Sequence, residues 1–315
     1  MKRRDFLQHG IAAATLIGMS PKLLFASADT AGNAVVTPLS ISHSNNRVMI
    51  CQGDRVLTEY GTSPMQKSPC FTYMAGPATG RSLISAIPQP WRQTTGLSFA
   101  CDRISCDDTM MESHFGCGPR QLGQIVSRDL SLGICTETTA EFRNFCEWQR
   151  PGYRPIIADE RCFRLSLISE TAYTLDCEYT LTPLTNLTVR PSGQSFFSLR
   201  MADDLAVSGG GQQLHSLNTT SQLQTRVTTD DNANWLTYFN KRGDMVEGIA
   251  VIRPDNTAGV APGSRWLTRD YGLLVPNSFH FRDTAWQLRK WETYHFAYRI
   301  VAYSGPPDTR MINRF

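Results

Sequence analysis

Residues 173–180 read Tyr-Thr-Leu-Asp-Cys-Glu-Tyr-Thr, with apolar or aromatic side chains at every second position. Successive side chains of a β-strand point to opposite sides of a sheet, so this alternation predicts a strand with one buried and one exposed side. Similar patterns occur at 163–167 (Phe-Arg-Leu-Ser-Leu) and at 294–300 (Tyr-His-Phe-Ala-Tyr-Arg-Ile). The three segments indicate half-buried antiparallel strands.

Shorter apolar runs of the same kind cover much of the chain. They lie at 48–51, 56–60, 97–101, 125–126, 142–148, 187–190, 196–201 and 246–252. Clusters of Gly, Pro, Asn and Asp separate them, and no segment after residue 28 keeps a helical period for three turns. The pattern predicts an all-β protein, a single large antiparallel β-sandwich over 47–303. We expect 29–46 to be a lead-in segment and 304–315 a loosely held C-terminal tail.

The first 28 residues have the features of a secretory leader. Arg3 and Arg4 precede an apolar stretch at 11–19, and Ala-Ser-Ala at 26–28 closes the segment. The paired arginines predict a signal peptide for the twin-arginine route, and hence a periplasmic location. The apolar stretch is about half of the ~20 residues that a membrane-spanning helix needs, so we expect a cleaved signal peptide and not a membrane anchor.

Charge and composition restrict the classes of partner. Residues 1–28 hold four basic residues and one acidic residue, and so account for the whole formal net charge of +3. The remaining chain is formally neutral and has no polybasic run. We therefore expect neither a nucleic acid nor a membrane surface as partner once the leader is removed. With 41% hydrophobic and 19% charged residues, the composition is that of a globular protein.

The nine cysteines leave two interpretations open. In an oxidising compartment some of them could pair, although an odd number leaves at least one thiol unpaired. Alternatively most are small buried hydrophobic residues, and Cys177 supports this because it stands on the apolar side of its strand. Cys101, Cys106 and Cys117 with His114 could in principle bind zinc, but the spacing is not a paired Cys-x-x-Cys pattern. We predict no metal site and no cofactor.

The last third of the chain holds the densest group of polar and aromatic residues. Aromatic rings stack on the C–H face of a sugar, and Arg and Asp side chains bond its hydroxyls. This chemistry points to substrate binding by Arg253, Asn256, Trp266, Arg269 and Tyr271. Asp270 and His280 are the predicted catalytic residues, since an imidazole exchanges protons near neutral pH. The alternative is that an Arg–Asp pair and an aromatic corner only hold the sandwich edge together.

The same stretch carries a family resemblance. The buried run at 248–252, the motif Trp266-x-x-Arg269-Asp270-Tyr271-Gly272 and the Pro-Asn-Ser-Phe that follows resemble the bacterial "PmoA family" proteins, a family of unknown function. Blocks at 96–102, 123–126 and 203–205 are similar to others of that family, so the likeness runs over 71–303. Methane oxidation, which the label suggests, does not follow, because such a subunit needs several membrane-spanning helices.

The resemblance implies an extracytoplasmic β-sandwich like the galactose-mutarotase supersandwich, with a carbohydrate ligand. It also adds Arg92 and Asp102, at the upstream blocks, to the predicted substrate-binding residues. Three histidines of the family pattern are missing here, where 91–95 read Trp-Arg-Gln-Thr-Thr and Arg253 precedes Pro254. The chain is therefore either inactive or uses other groups, for which the candidates are Arg92, Arg253, His114 and His280.

Together these patterns predict a periplasmic, carbohydrate-active protein, a lyase, epimerase or hydrolase that acts on a small carbohydrate or a uronic acid. The alternative is a non-catalytic sugar-binding or scaffold β-sandwich. Convergence of the predicted residues on one concave pocket would favour a ligand site.

Overall fold

Antiparallel strands build the fold in three sheets. The structure is a computed structural model, and it describes residues 37–87, 95–106, 111–216, 233–253, 265–281 and 283–314. In these ranges the strands form two eight-stranded sheets and one four-stranded sheet. No helix in the described ranges is long and apolar enough to cross a membrane.

The first sheet is built mainly from the N-terminal half of the chain. In the order in which its strands pair, it consists of β1 (Leu39–Ser44), β2 (Arg47–Gln52), β3 (Arg55–Gly61), β4 (Cys70–Met74), β5 (Leu97–Cys101), β13 (Ser195–Arg200), β18 (Leu273–Ser278) and β17 (Arg265–Thr268). Strand β1 lies inside the segment predicted as a lead-in. Its side chains alternate weakly because only Leu39 is buried, which is why the sequence did not indicate a strand there.

The second sheet contains the long strands. Its order is β14 (Gln212–His215), β15 (Trp235–Arg242), β16 (Met245–Ile252), β20 (Tyr294–Ser304), β11 (Ala172–Pro183), β10 (Ile157–Ser169), β9 (Thr139–Gln149) and β8 (Gln124–Cys135). The four-stranded sheet has the order β19 (Trp286–Leu288), β12 (Leu187–Val189), β6 (Ile104–Cys106) and β7 (Glu112–Ser113). This small sheet positions part of the candidate site.

Helical structure in the described ranges is short. Three 3-10 turns cover Arg120–Leu122, Val207–Gly209 and Phe279–Phe281, and helix α1 spans Thr309–Ile312. Helix α1 lies in the segment predicted as a loose tail. It is instead attached to the second sheet, because Ile312 is fully buried and the indole N–H of Trp235 donates to Asn313 Oδ1 at 2.6 Å.

The apolar series at 173–180 is confirmed as the core side of β11, but the opposite side is not exposed throughout, since Thr174 and Asp176 are also buried. Tyr173, Leu175, Cys177 and Tyr179 are all at most 2% exposed. The ring of Tyr179 stacks on that of Phe99 in the first sheet, with centroids 3.8 Å apart. The apolar core therefore lies between the two large sheets, and the predicted all-β sandwich is confirmed.

All nine cysteines lie in the described ranges, and the structure forms no disulfide among them. Cys70, Cys101, Cys146 and Cys177 are buried in the core, where they pack as small hydrophobic side chains. Burial raises the pKa of Cys70 to about 12, so this thiol stays neutral at physiological pH. The core is thus complete without a disulfide.

One buried ion pair connects the two large sheets. Arg161 and Asp159 on β10 are 1% and 0% exposed, and Arg161 Nε donates to Asp159 Oδ2 at 2.8 Å. The same guanidinium donates to the carbonyl oxygens of Pro69 and Phe99, at 3.0 and 3.1 Å, on the facing sheet. Burial alone would lower the pKa of Arg161, but the Asp159 carboxylate raises it well above its usual value. The guanidinium is therefore charged.

We expect Arg161→Met to lower the free energy of unfolding by about 3–5 kcal/mol, because it leaves the Asp159 carboxylate buried without its counter-charge. The double variant with Asp159→Asn should be less destabilised, since the amide oxygen can still accept the Trp148 N–H that Asp159 accepts at 2.9 Å. Urea denaturation measures both.

Arg143→Met is the matched control, because the Arg143–Glu160 pair on the same sheet is 63% and 55% exposed. Such a surface pair contributes about 0–1 kcal/mol. Equal losses in Arg161→Met and Arg143→Met would contradict the role given to the buried pair.

Candidate functional site

A cavity of about 410 Å³ lies where strands of the first sheet meet the four-stranded sheet. Its charged and titratable lining residues are Asp102, Arg103, His114, Arg200, Arg269 and His280. Tyr271, Gln194 and Cys117 also line it. The chain therefore brings acidic, basic and aromatic side chains together in a space large enough for a small molecule.

The cavity residues come from distant parts of the sequence. Asp102 directly follows β5, and His114 directly follows β7. Arg200 ends β13, Arg269 begins the turn between β17 and β18, and His280 lies in the 3-10 turn Phe279–Phe281. Strand β13 runs antiparallel to β5, with Ser195 opposite Cys101 and Leu199 opposite Leu97. Asp102 and Arg200 therefore lie at opposite ends of this strand pair, and the cavity extends along β13 between them.

Asp102 is held in a fixed position. It is 6% exposed, and its Oδ1 accepts the backbone N–H groups of Gly116 and Cys117 at 2.8 and 3.2 Å. Gly116 can approach this closely only because it lacks a side chain, since a Cβ would lie 2.1 Å from Cγ of Gln194. The backbone of Asp102 also donates to the Gln194 carbonyl at 3.1 Å. These contacts fix the orientation of the second carboxylate oxygen, Oδ2.

His114 lies between two carboxylates. Its Nε2 is 3.1 Å from Oε1 of Glu112, which is hydrogen-bond distance. Its Nδ1 is 3.9 Å from Asp102 Oδ2, which is too far for a hydrogen bond. The His114 side chain is 30% exposed. Glu112 thus orients the ring, and the 3.9 Å spacing allows one hydroxyl oxygen to hydrogen-bond to both His114 Nδ1 and Asp102 Oδ2 from the side.

Glu112 is itself held by arginines. Arg103 Nε lies 3.3 Å from Glu112 Oε2, and Arg190 Nη1 lies 3.7 Å from it. Arg103 has a φ of 58°, in the left-handed region that few residues other than glycine adopt. The backbone carbonyl of Arg103 accepts the Arg190 N–H at 3.0 Å, and its guanidinium donates to the Pro191 carbonyl at 3.1 Å. The strained backbone thus directs the Arg103 side chain, which lines the cavity, toward Glu112.

The cavity lining carries excess positive charge. Arg103, Arg200 and Arg269 are cationic, and Asp102 is the carboxylate among the lining residues. Arg200 is 1% exposed, and its guanidinium carbon lies 4.3 Å from the centroid of the Tyr271 ring. Burial lowers the pKa of Arg200, and Tyr271 partly offsets this, but an arginine with a reduced pKa is still charged at neutral pH. Because Glu112 is paired with Arg103, the excess positive charge of the lining comes from Arg200 and Arg269 against Asp102, and it favours an anionic ligand.

Lys67 and Cys117 flank Asp102. Burial lowers the pKa of Lys67 to about 8, while Asp102 and Cys117 counteract the shift, and its Nζ donates to the Pro119 carbonyl at 2.8 Å. Burial raises the pKa of Cys117 to about 12, and Asp102 adds to this. The Cys117 thiol is therefore neutral and a poor nucleophile.

Four of the residues predicted as site residues line the cavity, namely Asp102, Arg269, Tyr271 and His280. Arg92 and Asn256 lie outside the described residues. In the described ranges, no group of three or more His, Cys, Asp or Glu side chains is arranged to hold a metal ion.

The other three predicted residues are not among the residues that line the cavity. Trp266 is 1% exposed, so neither ring face is open to a sugar, and its indole N–H donates to the Ala233 carbonyl at 2.8 Å. The guanidinium of Arg253 lies 5.3 Å from the Trp266 ring centroid and donates to the Pro276 carbonyl. Asp270 accepts the Tyr271 N–H and closes a turn outside the cavity lining. The contacts of Trp266 and Arg253 are those that the structural alternative expects of an aromatic corner.

No sequence pattern pointed to Arg103, Glu112 or Arg200. A usable signal existed for Glu112, because it is two residues from His114 and alternate residues of a strand share a side. Arg200 ends a strand whose six residues are all buried, so nothing in its neighbourhood suggests a polar function.

Several solved structures are similar to this chain at low identity. A galactose mutarotase related enzyme from Lactobacillus acidophilus is 9% identical with a TM-score of 0.32, and the match covers 84% of this chain and 97% of that one. A GalM/aldose epimerase homologue from C. elegans is 10% identical with a TM-score of 0.36, covering 86% and 97%. A heparan sulfate lyase from Pedobacter heparinus is 10% identical with a TM-score of 0.35, covering 87% and 36%.

Comparison of sequences gives one clear assignment. No curated protein matches the chain. The model of DUF6807, described as a family of unknown function, matches residues 47–315, which include every described residue of the cavity. The chain therefore belongs to the DUF6807 family.

Proposed function

We propose that this protein binds a small acidic sugar in the cavity and transfers a proton at the carbon next to the sugar's carboxylate. The observation that carries the proposal is the shared cavity of His114, Asp102 and three arginines. This combination offers a proton acceptor beside a site for an anion. A carbohydrate lyase or epimerase of uronic acids fits it better than a hydrolase.

The arginines supply recognition of the carboxylate. A guanidinium presents parallel N–H groups that match the two oxygens of a carboxylate. Arg269 lies in a partly exposed turn and is the donor that a ligand can reach, whereas Arg200, 1% exposed and stacked on Tyr271, adds positive charge behind the cavity wall. The partly exposed ring of Tyr271 can contact the C–H face of the sugar.

His114 and Asp102 supply the proton transfer. In a uronic acid, C5 carries a hydrogen next to the carboxylate, and a base that removes it leaves negative charge on the carboxylate oxygens. Cationic side chains stabilise that charge. Return of a proton from water on the opposite side gives an epimer, while the proton on His114 passes to solvent. Alternatively the C4–O bond breaks and the departing oxygen takes up the proton held by His114, which gives an alcohol and a 4,5-unsaturated sugar. His114, oriented by Glu112, is the base, and Asp102 accepts a hydrogen bond from a ligand hydroxyl.

The location of the protein belongs to the same proposal. Its support is the sequence of residues 1–28, with Arg3 and Arg4 before an apolar stretch. An exported protein would meet acidic sugars from outside the cell. The finer resemblance to the "PmoA family", carried by the motif from Trp266 to Gly272, likewise remains part of this proposal.

Replacing Arg269 by Ala should weaken the binding of the methyl glycosides of galacturonic or glucuronic acid, which keep a free carboxylate, about tenfold or more, because a charged hydrogen bond contributes about 1.5–3 kcal/mol. Isothermal titration measures the loss. Arg265→Ala is the matched control, since Arg265 is exposed on β17, the strand that Arg269 follows, and does not line the cavity. Equal binding of the uncharged methyl galactoside would contradict the anion site.

Replacing His114 by Asn should slow proton exchange at C5 by about 10²–10⁴-fold, the usual contribution of a general base. Deuterium incorporation into methyl uronates in D₂O, followed by proton NMR, measures it. His43→Asn, at an exposed position of β1, should leave the rate unchanged. If the wild-type protein binds uronates without exchange or formation of an unsaturated product, the non-catalytic sugar-binding alternative is correct.

Replacing Arg3 and Arg4 by Lys should retain the protein in the cytoplasm as an uncleaved precursor, because the twin-arginine route reads the arginine pair. Cell fractionation and the mass of the N-terminus measure this. Lys22→Arg keeps the charge and leaves the pair intact, so it should be exported normally. Unchanged export of the double lysine variant would exclude this route.

A further inference from the structure

Trp291 is a large apolar side chain displayed at the surface. It is 64% exposed, in the turn between β19 and β20. Its φ is 65°, a left-handed conformation that a bulky residue seldom adopts. Neither property helps the core, because the ring is in water and the backbone is strained. Strain of this kind is retained where a side chain has to be presented in a particular way.

The turn that carries Trp291 is rigidly bonded. The Trp291 N–H donates to the Pro183 carbonyl at 2.9 Å, and the Lys290 N–H donates to Asn186 Oδ1 at 2.9 Å. The hydroxyl of Tyr294 accepts the Arg289 N–H at 3.0 Å and donates to Glu292 Oε2 at 2.6 Å. The indole is therefore held by a pre-organised loop, which lowers the entropic cost of binding a ligand.

The surroundings of Trp291 are cationic. Lys290 Nζ lies 5.4 Å from the centroid of the Trp291 ring. Arg289, which precedes Lys290, is also exposed. The carboxylate of Glu292 is engaged by the Tyr294 hydroxyl. A single ring among exposed charges is too small and too polar for a stable protein interface. It fits a sugar ring, whose C–H face stacks on an indole and whose carboxylate pairs with cations.

We propose that the Trp291 turn is a surface binding site for an acidic polysaccharide, with one uronic-acid ring stacked on the indole and its carboxylate paired with Lys290 and Arg289. The site is separate from the cavity. The turn follows β19, whereas Glu112 and His114 are at β7, and these two strands are the opposite edges of the four-stranded sheet. Its existence therefore does not depend on the proposed reaction.

Affinity electrophoresis in native gels containing sodium polygalacturonate or sodium alginate tests this site. The wild-type protein should be retarded, and Trp291→Ala should bind about tenfold more weakly, as expected for loss of an aromatic contact. Trp291→Phe should keep part of the retardation. Ile134→Ala is the matched control, since Ile134 is 59% exposed on β8, and it should behave as wild type. Near-ultraviolet circular dichroism checks that each variant is folded.

Other outcomes would overturn the proposal. Wild-type protein that is not retarded by either polyuronate, or a Trp291→Ala variant retarded as strongly as wild type, excludes the site. Equal retardation in a neutral galactomannan gel contradicts an acidic ligand. A change in oligomeric state of Trp291→Ala by light scattering, with retardation unchanged, would identify a protein interface. Binding of the methyl glycoside of galacturonic acid in Trp291→Ala should equal that of wild type, which separates this test from that of the cavity.

Discussion

The guanidinium of Arg161 is the contact on which the sandwich most depends. The Arg161 side chain extends from β10 in the second sheet and donates to backbone carbonyls on the side of the first sheet. These directional bonds fix how the two sheets lie against each other more narrowly than apolar packing alone would. Its partner Asp159 makes the charge tolerable in the core. One of the accepting carbonyls is that of Phe99 in β5, three residues before Asp102. The Arg161 contact therefore also helps to position β5, the strand that Asp102 of the cavity follows.

The candidate site combines a rigid part and a part that is more exposed. The rigid part is the loop around Asp102, where backbone N–H groups and a closely approaching glycine fix the carboxylate. The exposed part is the turn that carries Arg269 and Tyr271. Such a division suits a site in which the reacting groups stay in place while the ligand-holding groups adapt.

The fold was readable from the sequence because alternation is a local property. The strand at 173–180 shows its buried side in its own residues, and so does 294–300. The site was harder to predict, because its members come from different strands and meet only when the sheets close. Trp266 illustrates the difficulty, since an aromatic residue in a polar motif looks the same in sequence whether it faces a ligand or the core. Helix α1 was missed because one buried side chain, Ile312, attaches it.

The left-handed backbone at Arg103 restricts which changes this protein can accept. Glycine or asparagine would relax the backbone at that position, but neither can reach Glu112 and the Pro191 carbonyl. Lysine could supply the charge, but not the planar group that contacts both. No single substitution satisfies the chain path and the side-chain contacts together. We therefore expect Arg103 to be replaced only together with a second, compensating change in the loop that carries it.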